Sequence, residues 1–221
     1  MKKLFTLVCC FIAIGSFAQL RVGIQAGYNS SKFNVPGVDE NQLVTSSVNG
    51  ISAGILGDYQ INKLFFAQAG LQIATKGSYV GRGQFALYGS NSTVKLTYLQ
   101  LPVNVGVKIK VHNNLNAFAG VGLYAAYGLT GTQKGTGLDI NGSTVIDAKV
   151  KFSTDVPSVS DNTTLYIKPF DFGYNATAGL EWKLLQLSAN FSRGFQSAYA
   201  EGTTKYENQT FNVSLACFLF K

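Results

Sequence analysis

One stretch in the middle of the chain, Lys95–Val111, constrains the fold more than any other. From Leu99 onward its odd-numbered positions hold only Leu, Val or Ile, while the even-numbered positions are polar, Gly or Pro. This period of two predicts a β-strand with one apolar and one polar face. The strand is long compared with the usual length of about five or six residues in soluble proteins. We expect its apolar face to contact lipid and its polar face to line a small barrel.

The composition agrees with a membrane β-barrel. Charged residues make up 13% of the 221 residues, against about 25% in a typical soluble domain, and the chain has 24 glycines. No apolar run after residue 20 reaches the roughly 20 residues that a membrane-spanning helix needs. The formal net charge is +7, but the basic residues are scattered rather than clustered, so no nucleic-acid partner is predicted.

The N-terminal residues have the pattern of a secretory signal peptide. Lys2 and Lys3 precede the apolar stretch Leu4–Ile14, and Ser16-Phe17-Ala18 follows as a small-x-small cleavage site. We therefore expect residues 1–18 to be removed, so that residues 19–221 form an outer-membrane β-barrel domain.

Period-two alternation recurs along the chain and predicts eight strands. They are Arg21–Asn29, Gly50–Ile61, Leu64–Tyr79, Lys95–Val111, Leu115–Gly128, Phe170–Trp182, Leu185–Phe195 and Thr210–Lys221. Their connections alternate between long loops and short turns; the turns are Asn62-Lys63, His112–Asn114 and Lys183-Leu184. The longest loop, Leu129–Pro169, is expected to contain a small hairpin around Val145–Phe152. This pattern is typical of an eight-stranded antiparallel up-and-down transmembrane β-barrel with short periplasmic turns and long extracellular loops.

Glycines and aromatic residues are distributed as such a barrel requires. The interior of an eight-stranded barrel has only enough room for its own side chains, and the inward positions include Gly23, Gly27, Gly54, Gly70, Gly106, Gly120, Gly122, Gly173 and Gly179. Outward aromatic residues collect near the strand ends and predict two interfacial girdles. They are Tyr28, Tyr79, Tyr127, Phe172, Tyr174, Phe195 and Phe211 at the loop end, and Tyr59, Phe65 and Trp182 at the turn end.

Pro102 lies inside the fourth predicted strand, where it removes a ladder hydrogen bond. We therefore predict a β-bulge or a bend at this position.

Several sequence blocks are shared with a known family. The blocks are Gly70-Leu71-Gln72 with Thr75-Lys76-Gly77, Tyr98-Leu99-Gln100-Leu101-Pro102, Ala119-Gly120-Val121-Gly122-Leu123-Tyr124, Asp171-Phe172-Gly173 and Gly179-Leu180-Glu181. In these blocks the chain resembles the outer-membrane β-barrel family of the Bacteroidota that includes the PorT-like proteins. The resemblance covers nearly the whole mature chain and implies an outer-membrane barrel. PorT itself is tied to protein secretion and surface translocation, but a role does not transfer with a fold.

The end of the chain departs from that family. Outer-membrane barrels usually end on an aromatic residue, whereas here Phe220 is followed by Lys221. Phe218 and Phe220 also fall on the inward parity, which leaves the register of the last strand open.

Few residues have the type or spacing of catalytic or metal-binding groups. His112 is the only histidine and lies in a turn without a predicted partner, so no Ser–His–acid triad is expected. Without Cys9 and Cys10 of the signal peptide, Cys217 is the only cysteine, so we predict no intramolecular disulfide and no Cys-based metal site. The acidic loop residues match no known calcium loop; they are Asp39, Glu40, Asp139 and Asp161. We predict a non-enzymatic protein with no catalytic, cofactor-binding or metal-binding residues and no cofactor.

Five charged residues point inward by parity: Asp58, Lys76, Lys108, Asp171 and Glu181. They could form a gated polar pathway or a ligand site. They could also fill the lumen with ion pairs and hydrogen bonds, as buried polar groups require. We expect the filled lumen, since eight strands leave no aqueous channel.

Four functions are compatible with this pattern. The first is a monomeric structural or interaction scaffold in the outer membrane, which contacts lipid through its barrel and partners through its long loops. The second is an accessory component of secretion, as the PorT-like resemblance implies. A lipid-active enzyme and a soluble ligand-binding barrel are the other two. The scaffold is the function that we expect.

Overall fold

The computed structural model describes residues 19–38, 43–82, 89–139, 142–155, 164–200 and 204–219. Within these ranges the chain forms ten β-strands, and no helix is both long and apolar enough to cross a membrane. The strands are β1 Leu20–Asn34, β2 Leu43–Gln60, β3 Phe65–Arg82, β4 Gly89–His112, β5 Leu115–Asp139, β6 Gly142–Phe152, β7 Thr164–Ile167, β8 Phe170–Trp182, β9 Leu185–Ser197 and β10 Glu207–Phe218. Residues 1–18 lie outside the described part, so the signal peptide stays a prediction.

Eight of the strands close into a ring. Neighbouring strands pair in the order β1, β2, β3, β4, β5, β8, β9 and β10, and β10 pairs with β1 again. Every pairing in the ring is antiparallel. The predicted eight-stranded antiparallel up-and-down barrel is therefore confirmed, and the eight predicted segments are the eight strands of the ring.

Short connections lie at one end of the barrel and long ones at the other, as predicted. The turn at Lys183-Leu184 is confirmed, with Lys183 in the left-handed region at φ 55°. The turn after β4 is shorter than predicted because β4 continues through His112. The predicted two-residue turn at Asn62-Lys63 is wrong. Four residues connect β2 to β3, and the Asn62 side-chain oxygen accepts hydrogen bonds of 2.8 Å from the amides of Leu64 and Phe65.

The two faces of each strand have opposite surroundings. Outward Leu, Val and Ile side chains of the ring are exposed, for example Ile55, Leu101, Val121 and Leu187, whereas their inward neighbours are buried or half-buried. A wide exposed band of aliphatic side chains is what a lipid-facing surface requires. Most of the predicted outward aromatic residues are exposed as well, although Tyr59 and Tyr79 are half-buried.

The long segment Leu129–Pro169 contains much more strand than the single predicted hairpin. Strand β5 runs on to Asp139 and pairs there with β4 on one side and with β6 on the other. Strand β7 then pairs in parallel with β6. A four-stranded sheet, β4–β5–β6–β7, therefore extends the barrel wall beyond its long-connection end.

Of the bulge or bend predicted at Pro102, the bulge is wrong and the bend stays a prediction. The ladder between β3 and β4 is interrupted beside Pro102, between the pairs Ala69–Val103 and Gln72–Gln100, but the register is the same on both sides. The pairing of Pro102 with Tyr124 on the other side is intact. The N–H that Pro102 lacks therefore costs only ladder hydrogen bonds to β3, and the pairing with β5 is kept. The β4–β5 ladder has two register shifts, and they lie elsewhere, at Thr97/Tyr98 and at Lys110/His112.

The register of the last strand is settled by Phe218. This side chain points inward and is buried, and its ring centroid lies 4.2 Å from the guanidinium carbon of Arg21. Phe220 and Lys221 lie outside the described residues.

Inward glycines make room for large side chains on the neighbouring strands. Phe118 pairs with Gly179 and Tyr124 pairs with Gly173 across the β5–β8 ladder. A Cβ atom on Gly179 would lie 2.7 Å from the Phe118 ring, and one on Gly173 would lie 2.5 Å from the Tyr124 ring. The small lumen is therefore filled by placing an aromatic ring over each of these glycines.

Candidate functional site

The lumen holds a four-residue ion cluster near the short-turn end. The cluster comprises Arg21 of β1, Asp58 of β2, Lys108 of β4 and Glu181 of β8. Arg21 Nη2 lies 2.5 Å from Asp58 Oδ2 and 2.6 Å from Glu181 Oε2. Lys108 Nζ lies 3.1 Å from the same Asp58 oxygen and 2.9 Å from the same Glu181 oxygen. Each cation therefore bridges both carboxylates.

This ion cluster balances its own charge. Two cations face two carboxylates, and the Asp58 side chain has no exposed surface. Gln68 donates a further hydrogen bond of 3.0 Å to Asp58 Oδ1. Such complete pairing is what allows charges to be buried at all, because an unpaired charge in this environment would cost several kcal/mol. The arrangement closes the lumen at this end.

Uncharged polar side chains fill the middle of the lumen. Gln25 donates to Gln72 at 3.0 Å, and the hydroxyls of Ser188 and Ser214 lie 2.8 Å apart. A cavity of about 60 Å³ lies among these residues. Two side-chain oxygens that belong to cavity-lining residues, those of Gln100 and Asn175, are buried and accept no hydrogen bond from a described residue. The cavity has room for water molecules that would satisfy both oxygens.

A second ion pair lies near the other end of the lumen. Lys76 Nζ of β3 lies 3.2 Å from Asp171 Oδ2 of β8, and both side chains are buried. The Tyr124 hydroxyl and the Asn208 amide donate to the same carboxylate oxygen at 3.1 and 3.0 Å. The ammonium group also lies over the Tyr124 ring, 4.3 Å from its centroid. This pair is fully enclosed by side chains of four strands.

An apolar cluster, here called the mouth cap, closes the long-connection end above this pair. Its buried members are Phe33, Val80, Val94, Leu96, Tyr98, Tyr124, Ala126, Ile167 and Ala198, and Phe152, Tyr199 and Tyr206 pack against them. The rings of Tyr98 and Phe152 meet edge to face with 5.7 Å between centroids. Burial raises the pKa of the Tyr199 and Tyr206 phenols. Both phenols therefore remain neutral at physiological pH, and the cap carries no phenolate charge.

Backbone hydrogen bonds attach the sheet extension to the opposite side of the barrel mouth. Ile167 of β7 bridges to Tyr199 in the β9–β10 connection. Lys168 N donates to Ala198 O at 2.8 Å, and Ala200 N donates to Tyr166 O at 3.2 Å. Strand β7 and Lys168 after it are therefore attached across the mouth to the β9–β10 connection, next to the cap.

The five inward charges predicted from parity all point into the lumen. Asp58, Lys108 and Glu181 come together in the ion cluster. Lys76 and Asp171 form the second ion pair. Arg21, on the inward parity of the first strand, completes the ion cluster and was not among the predicted charges. The mouth cap was also missed. Its buried members lie mainly on β1, β3, β4 and β5, with Ile167 and Ala198 added from later in the chain, and no local sequence signal indicates that they meet.

The remaining candidate residues that the structure describes lie apart from one another. His112 is exposed at the end of β4, and Cys217 is free and half-buried on the outward face of β10. Asp39, Glu40 and Asp161 lie outside the described residues, and Asp139 is the last residue of β5. Among the described residues, no group of three or more His, Cys, Asp or Glu side chains is placed to hold a metal ion.

Comparisons with known proteins were made for sequence and for structure. Residues 17–200 match the family model described as "Outer membrane protein beta-barrel domain". No curated protein sequence matches the chain. Similar solved structures include three surface barrels, each with low sequence identity.

The first is Ail, the attachment invasion locus protein of Yersinia pestis, in complex with the heparin analogue sucrose octasulfate. It has 11% identity and a TM-score of 0.41, and the match covers 91% of this chain and 99% of Ail. Neisserial surface protein A has 10% identity and a TM-score of 0.42, over 89% of this chain and 96% of that chain. OprG of Pseudomonas aeruginosa has 10% identity and a TM-score of 0.39, and the match covers 90% of this chain and 91% of OprG.

Proposed function

Because this chain belongs to the outer membrane protein beta-barrel domain family, we propose that it is a non-enzymatic, monomeric scaffold of the outer membrane. In this proposal the ring of eight strands holds the protein in the lipid. The β4–β7 sheet and the long connections face the outside of the cell and contact partners there.

The observation that carries this proposal is that the lumen is closed at both ends. The ion cluster of Arg21, Asp58, Lys108 and Glu181 fills the short-turn end. The mouth cap covers the long-connection end. A barrel closed in this way offers no path for a solute, so the surface available for function is the outside of the wall and its extension.

Conductance measurements test the closed lumen. The full chain, refolded and inserted into a planar bilayer, is expected to give no steady current above the bare membrane at moderate voltage. A stable ohmic conductance would show that solutes pass and would replace the scaffold by a pore.

Position-specific crosslinking tests the partner contacts. Val145 on the outward face of β6 is 79% exposed, and Val121 on the lipid-facing wall is 64% exposed. A photo-reactive residue at position 145 should give a discrete protein adduct in intact cells, whereas the same residue at position 121 should not. If both positions fail to give a protein adduct, the extracellular sheet does not have the proposed role.

A role as an accessory of protein secretion is the second proposal, and it rests on the PorT-like resemblance of the Tyr98–Pro102 block. Two residues of this block have structural roles here, since Tyr98 packs in the mouth cap and Pro102 lines the central cavity. Loss of a defined set of secreted proteins on gene deletion, restored by the intact gene, would support this role.

We also propose that residues 1–18 are a cleaved signal peptide. Sequencing of the mature protein from the outer membrane should then start at Gln19. A mature chain that still contains Lys2 and Lys3 would contradict the cleavage.

A further inference from the structure

The outward face of the sheet extension carries a group of exposed lysines, here called the lysine face. It consists of Lys95 on β4, Lys134 on β5, and Lys149 and Lys151 on β6. Lys95 and Lys149 flank Thr132 in one cross-strand row. Neither of these two lysines forms an ion pair with a residue that the structure describes, whereas Lys134 lies 3.9 Å from Asp147. The row of Lys95 and Lys149 therefore presents uncompensated positive charge sideways from the barrel wall.

An apolar groove of about 370 Å³ lies lower on the same wall. It is lined by Leu101, Val103, Leu123, Ala125, Phe172 and Phe195. The groove exists because Ala125 stands between Leu101 and Phe172 in one cross-strand row. The small Ala side chain leaves a depression between two large neighbours, and the backbone at Tyr124 and Gly173 forms its floor.

The groove and the lysine face are ordered by depth on β4 and β5. Leu101 and Lys95 point to the same side of β4 and are six residues apart, which corresponds to roughly 20 Å along a strand. The aromatic pair of Tyr127 and Phe170 lies between the two levels, with 5.2 Å between ring centroids. Aromatic residues of this kind mark the membrane interface. The groove therefore lies at acyl-chain depth and the lysines lie at headgroup depth.

We propose that this face of the barrel binds a phosphorylated lipid of the outer leaflet, with an acyl chain in the groove and a phosphate at Lys95 and Lys149. Along the wall, the apolar groove comes first, then the interfacial aromatic pair, and then the lysines. Such a lipid has its acyl chain and its phosphate in the same order. A soluble polyanion would use the lysines and leave the groove unused. The lipid site requires that the protein lies in the outer membrane, but it does not require the scaffold role. An experiment can therefore exclude the lipid site without excluding the scaffold role, and the reverse.

Titration with a defined lipid tests the lysine half of the site. The detergent-solubilised full chain is titrated with diphosphorylated lipid A, and binding is followed by native mass spectrometry. Replacing both lysines, Lys95→Gln with Lys149→Gln, should weaken binding by about 10- to 30-fold, since each lysine near a charged lipid contributes about one factor of five. The control Lys63→Gln removes an exposed lysine from the β2–β3 connection at the other end of the barrel and should change binding by less than about 3-fold.

Filling the groove tests the other half. Ala125→Leu places a larger apolar side chain in the depression and should weaken lipid A binding by about 10-fold, while the outward face stays apolar. Ala119→Leu lies on the same strand and the same face outside the groove lining, and it should leave binding unchanged. Heat-modifiable gel mobility confirms in each case that the variant barrel is folded.

Three results would overturn the site. Equal binding of fully dephosphorylated lipid A would show that the phosphate is not recognised. Loss of binding in the lysine variant but not in Ala125→Leu, together with competition by dextran sulfate, would show a general polyanion surface. Equal loss in both the test variants and their controls would show unspecific adsorption. Loss of binding confined to the two test variants, with preference for the phosphorylated lipid, supports the proposal.

Discussion

At the scale of single residues, the ion cluster makes the most direct prediction about stability. Asp58→Asn removes one of two carboxylates and leaves Arg21 and Lys108 to share Glu181. The buried group then carries an unbalanced positive charge, and we expect the free energy of unfolding to fall by about 3 kcal/mol. Urea unfolding of the barrel in phospholipid vesicles measures this change. Asp147→Asn, whose partner Lys134 is exposed, is the control and should have little effect.

Inward glycines make a second residue-scale prediction. A Cβ atom on Gly179 would collide with the Leu187 carbonyl and lie 2.7 Å from the Phe118 ring, whereas one on the half-buried Gly57 would meet its nearest atom at 3.6 Å. Gly179→Ala should therefore lower the free energy of unfolding by about 1–3 kcal/mol, and Gly57→Ala should be tolerated. The same vesicle unfolding experiment compares the two. Equal effects would contradict the steric explanation.

The direction of each lumen residue was predictable, but its partner was not. Period two is a local property, so the sequence places Lys108 and Glu181 on inward faces without any knowledge of the fold. Their contact with Arg21 depends on how far neighbouring strands are staggered around the ring. That stagger is set by all eight pairings together, and no single segment encodes it.

At the scale of elements, the mouth cap predicts a local weakness. Phe152 points inward from β6 against Tyr98, while Val145 points outward from the same strand. Phe152→Ser removes a packed ring and should loosen the segment from β6 to β7, by about 3 kcal/mol of local stability. Limited proteolysis should cut this segment faster and leave the ring heat-modifiable.

Val145→Ser is the matched control for the cap, because it changes an exposed side chain of the same strand. Its proteolysis rate should stay that of the unchanged protein. Faster cleavage in both variants would mean that β6 itself, and not the cap, determines the rate.

Strand identity followed from the sequence, and strand length did not. The segments Phe170–Trp182 and Leu115–Gly128 alternate clearly, and the two corresponding strands, β8 and β5, begin at the predicted residues. Beyond Gly128 the chain contains Gly131, Gly135 and Gly137, and glycine is depleted in strands. The chain is nevertheless strand up to Asp139 because β4 and β6 supply hydrogen bonds on both sides. Tertiary pairing overrides the local preference there.

At the scale of the whole molecule, the surroundings of the wall decide between a membrane barrel and a soluble one. The exposed aliphatic band indicates a membrane barrel only if its side chains contact acyl chains. Val121 lies on β5 about midway between the turn at Asn114 and the aromatic residue Tyr127, and it is 64% exposed. Val145 is even more exposed, at 79%, but lies on β6 of the sheet extension, outside the ring of eight strands.

Arginine at these two positions should therefore have different effects, although both replace an exposed valine on a strand. Val121→Arg would place a charge at the midplane of the bilayer and should cost about 2–4 kcal/mol of stability in vesicles. Val145→Arg stays in water and should cost little. Tolerance of Val121→Arg in vesicles would show that the band does not face lipid, because only the solvent distinguishes the two positions.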